Sequence, residues 1–268
     1  MLGSIAGDII GSVHEFQNMK SMDFPLFSFD GDRKSMFTDD SILTVATCEV
    51  LLTGADYATV YKSYAKRFPS AGWGSMFNKW VYSSDADSAP YNSFGNGSAM
   101  RVSPIAWAFN SAAEVLAEAK KSAEVTHNHE EGIKGAQAAA LATFMARMQF
   151  TKEDIRDIIS KKFGYDLSRT CETIRPAYKF DATCQGSVPE SIIAFLDSTD
   201  YESAIRLAVS LGGDADTMAC IAGGIARAFY PTMPKEIATM SLKLLPKKFL
   251  TVIRDFYKKF NIKVKVSN

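Results

Sequence analysis

Histidine is scarce: there are three in 268 residues, at positions 14, 127 and 129. His127 and His129 form a His-x-His pair, but with no third histidine and no cysteine nearby a zinc site is disfavoured. Substrate contact or helix capping fits the pair better. The four cysteines, Cys48, Cys171, Cys184 and Cys220, are scattered and form no Cys-x-x-Cys motif. That excludes a disulfide framework and points to reduced, buried thiols in a cytoplasmic protein. Charge of either sign is not in excess, with 30 basic and 30 acidic residues. A basic stripe for nucleic acid or a membrane surface is therefore not expected. No apolar run reaches the roughly 18 residues of a membrane span. The stretch Met1–Asp8 has no basic segment and carries an early acid, unlike a secretory leader. Alternating strand patterns, internal repeats and composition breaks are also missing. The remaining reading is a single all-α domain over residues 1–268, an orthogonal bundle of roughly ten or more helices, and a monomer.

What is present is a run of oxygen-bearing side chains at Gly212-Gly213-Asp214-Ala215-Asp216-Thr217. An apolar run precedes it and another follows, so the glycines mark a turn into a helix N-terminus. One aspartate there can cap the helix. Capping does not explain a second carboxylate and a hydroxyl set among small and apolar neighbours, where uncompensated charge is costly. Oxygen-only ligands suit Mg²⁺ or Mn²⁺. A second set, Thr38-Asp39-Asp40, opens another apolar helix near the other end of the chain. Facing oxygen sets are what a two-metal centre requires, so the bundle is expected to contain a binuclear metal cleft.

Other stretches add to this. Residues 3–15 carry three glycines in a helical pattern, each costing roughly 1 kcal/mol against alanine; close approach to another helix or a ligand would justify them. Asp8 and Glu15 lie seven apart, on one side of that helix. Residues 16–35 form a long irregular loop, expected to act as a lid. Gly95-Asn96-Gly97-Ser98 exposes backbone N–H groups, is expected to open a helix over 99–108, and makes a candidate anion cradle. Arg101 either meets a phosphate or pairs with a buried acid. Trp73 and Trp80 are assigned to the core, residues 83–94 to a loop, a helix is expected from Val188 to Phe195, and the tail 262–268 is expected to fray.

The segments GDIIGSVHE, FTDDS, GNGSAMRVSP, THNHEEGIKGA and GGDADTMACIAGGIA resemble, in order and rough spacing, those of the ADP-ribosylglycohydrolases. The resemblance spans residues 1 to about 230. It implies an all-α fold, two divalent cations (Mg²⁺ or Mn²⁺) and hydrolysis of an ADP-ribosyl bond at the anomeric carbon. Residue by residue, it implies Thr38, Asp39, Asp40, Asp214, Asp216 and Thr217 as metal ligands, with Asp216 bridging. Glu15, Asp39 and Asp214 are the implied catalytic carboxylates. Asn96, Gly97, Ser98, Met100 and His127 are the implied substrate contacts, the Gly97–Ser98 loop on the diphosphate. The implied partners are ADP-ribose and ADP-ribosylated proteins, on arginine above all, or small conjugates. Two rival readings remain: a different two-metal hydrolase such as a phosphoesterase, and a non-catalytic ADP-ribose-binding protein on the same fold.

Overall fold

The computed structural model describes residues 1–268 except 85–87, 264 and 268. Among the described residues it contains fourteen α-helices. They are α1 (Leu2–Gly11), α2 (Asp39–Thr53), α3 (Tyr57–Arg67), α4 (Ser75–Val81), α5 (Ile105–Ala108), α6 (Ala112–Glu124) and α7 (Glu130–Arg147). The second half adds α8 (Lys152–Phe163), α9 (Cys171–Ile174), α10 (Cys184–Asp197), α11 (Tyr201–Ser210), α12 (Ala215–Phe229), α13 (Lys235–Lys243) and α14 (Lys247–Lys259). The only sheet among the described residues is a parallel pair of two-residue strands, β1 (Met233–Pro234) and β2 (Val266–Ser267). The all-α expectation holds.

Helix α12 is the hub. It is buried from Ala215 to Ala228 and packs against α1, α7, α10 and α11. A helix that is small and apolar on every face belongs at the centre. Helix α1 reads as four stripes at a spacing of four residues. Leu2, Ala6 and Ile10 enter the core around α7, α10 and α12. Met1, Ile5 and Ile9 enter a second core built on α2, α3 and α14. Gly3, Gly7 and Gly11 face α12 so closely that a Cβ at Gly7 would lie 2.0 Å from the Ala219 carbonyl oxygen. The fourth stripe presents Asp8 to the first turn of α2. The three glycines thus set two backbones in contact and bring Asp8 level with the start of α12.

Several local expectations are corrected. No helix runs over 99–108. Asn96–Ser98 forms one 3-10 turn, turns follow, and only the four-residue α5 is regular. The helix expected at Val188 starts four residues earlier, at Cys184, where Thr183 caps it, and carries Pro189 in its interior. Trp80 is buried, whereas Trp73 is half-buried at the edge of the second core and its indole donates to the Phe68 carbonyl. Part of the tail is paired through β2, while 264 and 268 fall outside the described residues. Residues 16–35 are irregular throughout, as is the described part of 83–94, from which 85–87 are excepted.

Candidate active site

The N-termini of α2 and α12 converge on a cleft of about 400 Å³. Thr38 is the N-cap of α2 and its side chain accepts from the Asp40 N–H. Asp214 is the N-cap of α12, but its side chain makes no capping bond; it accepts instead from Asn96 Nδ2 at 2.8 Å. Capping therefore does not account for Asp214. Gly212, in the left-handed region at φ 72°, turns the chain from α11 into this position. Thr217 Oγ1 donates across to Asp40 Oδ2 at 3.2 Å, joining the two oxygen sets.

Carboxylate oxygens of Asp8, Asp40 and Asp216 lie within 4.8 Å of one another, and so do those of Glu15, Asp214 and Asp216. Asp216 is common to both groups. Asp39 lines the same cleft without joining either group, and Thr38 lies just outside the lining. Asp8 is held by four donors: Thr38 Oγ1 at 2.6 Å on one oxygen, and the Thr38 N–H, the Ser41 N–H and the Ser41 hydroxyl on the other. So many donors suit Asp8 to bracing the first turn of α2, with Asp40 left to face the cleft.

Burial raises every carboxyl group here. Asp8 is pushed up to about 6, with the Ser41 and Thr38 hydrogen bonds opposing the rise. Asp214 also rises to about 6 through burial, against hydrogen bonds from Asp216 and Asn96. Glu15 rises to about 7 through burial and the Asp216 charge, with Arg33 opposing. Asp39 and Asp40 lie well above the usual range through burial and then the charge of Asp216; for Asp216 itself the causes are burial and Asp214. None of the ion pairs among the described residues reaches these six groups. Asp40 Oδ1 is buried without a hydrogen-bond partner. Hard divalent cations fit this donor set, since they supply the missing counter-charge and prefer oxygen.

The glycine loop forms another part of the cleft wall, with Asn96 reaching Asp214. Gly95 bridges to Thr183, and the Asn96 N–H donates to the Ala182 carbonyl, so the loop is tied to the start of α10. Asn96, Gly97, Met100 and His127 line the cleft. Ser98 does not: its hydroxyl donates to the Gly132 carbonyl at 2.7 Å, inside the protein. The two histidines are placed differently. His129 caps α7, its Nδ1 accepting from the Glu131 N–H, and His127 faces the cleft. Arg101 lines the cleft yet is fully buried, and it meets no acid. Phe16 and Phe180 stack at 4.8 Å and both line the cleft. Phe180 carried no sequence signal. Asp8 was paired with Glu15 by helical spacing, but α1 ends at Gly11 and Glu15 lies in the turns beyond it, and Asp8 was not placed among the site residues.

Comparison with known proteins shows the family and the fold. The family model described as ADP-ribosylglycohydrolase matches residues 1–253. ADP-ribosylhydrolase ARH3 of Homo sapiens is 26% identical over 305 residues, covering 86% of this chain and 84% of that protein. ADP-ribosylarginine hydrolase Tri1 of Pseudomonas putida is 27% identical over 150 residues, 53% of this chain and 40% of that one. A solved structure described as an ADP-ribosylglycohydrolase-related protein complex shares the fold, with a TM-score of 0.73, 22% identity and 96% of each chain covered. With the family model spanning nearly the whole chain, this protein belongs to the ADP-ribosylglycohydrolase family of enzymes.

Proposed function

We propose that this enzyme hydrolyses the bond between ADP-ribose and a conjugated group, with ADP-ribosylated arginine as the leading substrate, and depends on two divalent cations, Mg²⁺ or Mn²⁺. The observation that carries the reading is the pair of carboxylate groups sharing Asp216 in a cleft whose wall also contains a glycine loop. The residues to hold the cations are Thr38, Asp39, Asp40, Asp214, Asp216 and Thr217. Bound there, the cations would supply positive charge that balances the carboxylates and acidifies water. The loop Asn96-Gly97 and His127 would seat the diphosphate side of the ligand, and Met100 lines the same wall. That placement leaves the ribose to the carboxylates. Cleavage at the anomeric carbon develops oxocarbenium character, which nearby carboxylates stabilise. Glu15, Asp39 and Asp214 all line the cleft and are the groups to orient water and exchange protons with it and with the leaving group. Asn96 keeps Asp214 turned toward the cleft.

Arginine leads because the partial match to Tri1 bears that specificity in its name. The test is a substrate panel of ADP-ribosylated arginine, ADP-ribosylated serine, O-acetyl-ADP-ribose and a phosphodiester, each with Mg²⁺, Mn²⁺ or EDTA. Release of ADP-ribose that requires the cation is expected. Cleavage of the phosphodiester alone, or ADP-ribose binding with no turnover on any conjugate, would overturn the proposal.

A further inference from the structure

Arg101 is fully buried and has no carboxylate to balance it. Its guanidinium lies 4.5 Å from the centre of the Tyr61 ring, and one nitrogen, Nη2, donates to the Ser122 carbonyl at 2.6 Å and to Thr126 Oγ1 at 3.0 Å. Nε and Nη1 have no hydrogen-bond partner. Thr126, also fully buried, lies 2.7 Å through Oγ1 from His127 Nδ1. These contacts form a chain from a fixed charge to the imidazole on the cleft wall.

The direction of that chain follows from donor chemistry. A guanidinium can only donate. Thr126 Oγ1 must therefore accept from Arg101, and its own proton is free to go to His127 Nδ1. A nitrogen that accepts carries no proton, so a neutral ring holds its proton on Nε2. The Arg101 charge acts the same way, since a lone pair on the nearer side of the ring is favoured over an N–H dipole pointing at a cation. Nε2 faces the glycine loop: a Cβ at Gly97 would lie 3.3 Å from it, and one at Gly95 3.6 Å.

We propose that Arg101 and Thr126 are positioning residues that hold His127 as the neutral Nε2–H tautomer, so that it offers a hydrogen-bond donor to an oxygen bound over the Gly95–Gly97 loop. The identity of that oxygen, a phosphate or ribose oxygen of ADP-ribose, rests on the function proposed above; the tautomer does not. Burial and the Arg101 charge hold the His127 pKa well below its ordinary value, which keeps the ring neutral. The Tyr91 ring stands 6.0 Å from that of His127, and the nearby Thr126 side chain opposes the rise that burial gives the Tyr91 phenol pKa. If that phenol donates, Thr126 receives two protons and still has only His127 as an outlet. In the rival arrangement Thr126 donates to Tyr91, and His127 must carry Nδ1–H. The two arrangements give different spectra.

The experiment is ¹H–¹⁵N correlation of the histidine rings in the full-length, ligand-free protein. His127 should appear as a single Nε2–H tautomer, with its Nδ1 resonance displaced by an accepted hydrogen bond. A dominant Nδ1–H form, or an imidazolium at neutral pH, overturns the proposal, and this readout needs no variant. Thr126→Val removes the hydroxyl at constant shape; it should abolish the displacement and admit an Nδ1–H population, and Thr126→Ser should restore the parent spectrum. A Thr126→Val spectrum identical to the parent's also overturns it. ADP-ribose titration provides the second readout. Thr126→Val should weaken binding by about two- to tenfold, the worth of one hydrogen bond, with recovery in Thr126→Ser. Unchanged affinity beside an altered tautomer overturns the donor role. If the parent binds no ADP-ribose, the functional reading fails while the tautomer is still decided by the spectra.

Discussion

Asn96 shows how a single residue can be read two ways. Its motif suggests a ligand contact, while its amide donates to Asp214 at 2.8 Å and to Ser187 Oγ at 3.1 Å. One N–H is spent on the Asp214 carboxylate and the other on Ser187, which holds the amide in place against that carboxylate. Asn96→Ala is therefore expected to lower cation affinity or kcat by about 10- to 100-fold, as loss of an orienting partner does. Steady-state kinetics across a Mg²⁺ series checks this. A change confined to KM for the conjugate would return Asn96 to substrate contact. Arg101 shows the limit of reading residues singly. Two partners were foreseen for it, a phosphate or an acid, and no acid pairs with it. Its surroundings come from two separate segments, Tyr61 on α3 and Ser122 and Thr126 on α6 and just past its end, and no local pattern joins those two segments to Arg101.

At the scale of elements, the decisive contact is α1 on α12. Three glycines at a spacing of four were legible as a demand for close approach, because nothing else justifies their cost inside a helix. What they approach was not legible, since α12 begins more than 200 residues later. Gly7→Ala would place a methyl group 2.0 Å from the Ala219 carbonyl oxygen, with backbone on both sides and nothing flexible to yield. A loss of about 3 kcal/mol is expected, the upper end for overpacking, together with weaker cation binding as Asp8 and the start of α2 shift away from Asp216. Thermal unfolding and cation titration of the one variant test both parts. Gly74→Ala is the control, because a Cβ there meets nothing within 4 Å and its φ of −56° suits alanine. A Gly7→Ala variant as stable as this control would rule out the close-packing account. The loop 95–98 failed as a helix start because Pro104 and the turns before it leave room only for α5. Its shape comes from the tie to α10 rather than from a helix of its own.

For the whole molecule, the site is a junction: six carboxyl groups meet where α1, α2 and α12 converge, and no lysine or arginine ion pair reaches them. A cation that binds only the folded chain stabilises it by mass action. At a concentration of about 100 times Kd the gain is about 2.7 kcal/mol. For a chain of this size that corresponds to a rise in Tm of about 5–10 °C. Scanning calorimetry with Mg²⁺, Mn²⁺ and EDTA measures it, and Asp216→Ala should lose the response because the shared ligand is gone. Equal Tm in EDTA and in saturating cation would argue that the carboxyl groups are neutralised by protons alone.

The sequence by itself determined the helical class, the acid sets at two helix starts, the glycine stripe of α1 and the small, apolar character of α12. Each is a local pattern, expressed within one or two turns of chain, and propensity, capping chemistry and helical spacing act over that range. Tertiary structure alone decided that Asp216 lies within reach of both carboxylate groups, that Asp8 braces the turn carrying Asp40, and that Thr126 stands between Arg101 and His127. These relations depend on side chains from segments far apart in the chain. Their distances follow from how closely backbones pack, and the packing of α1 on α12 depends on atoms of both helices at once.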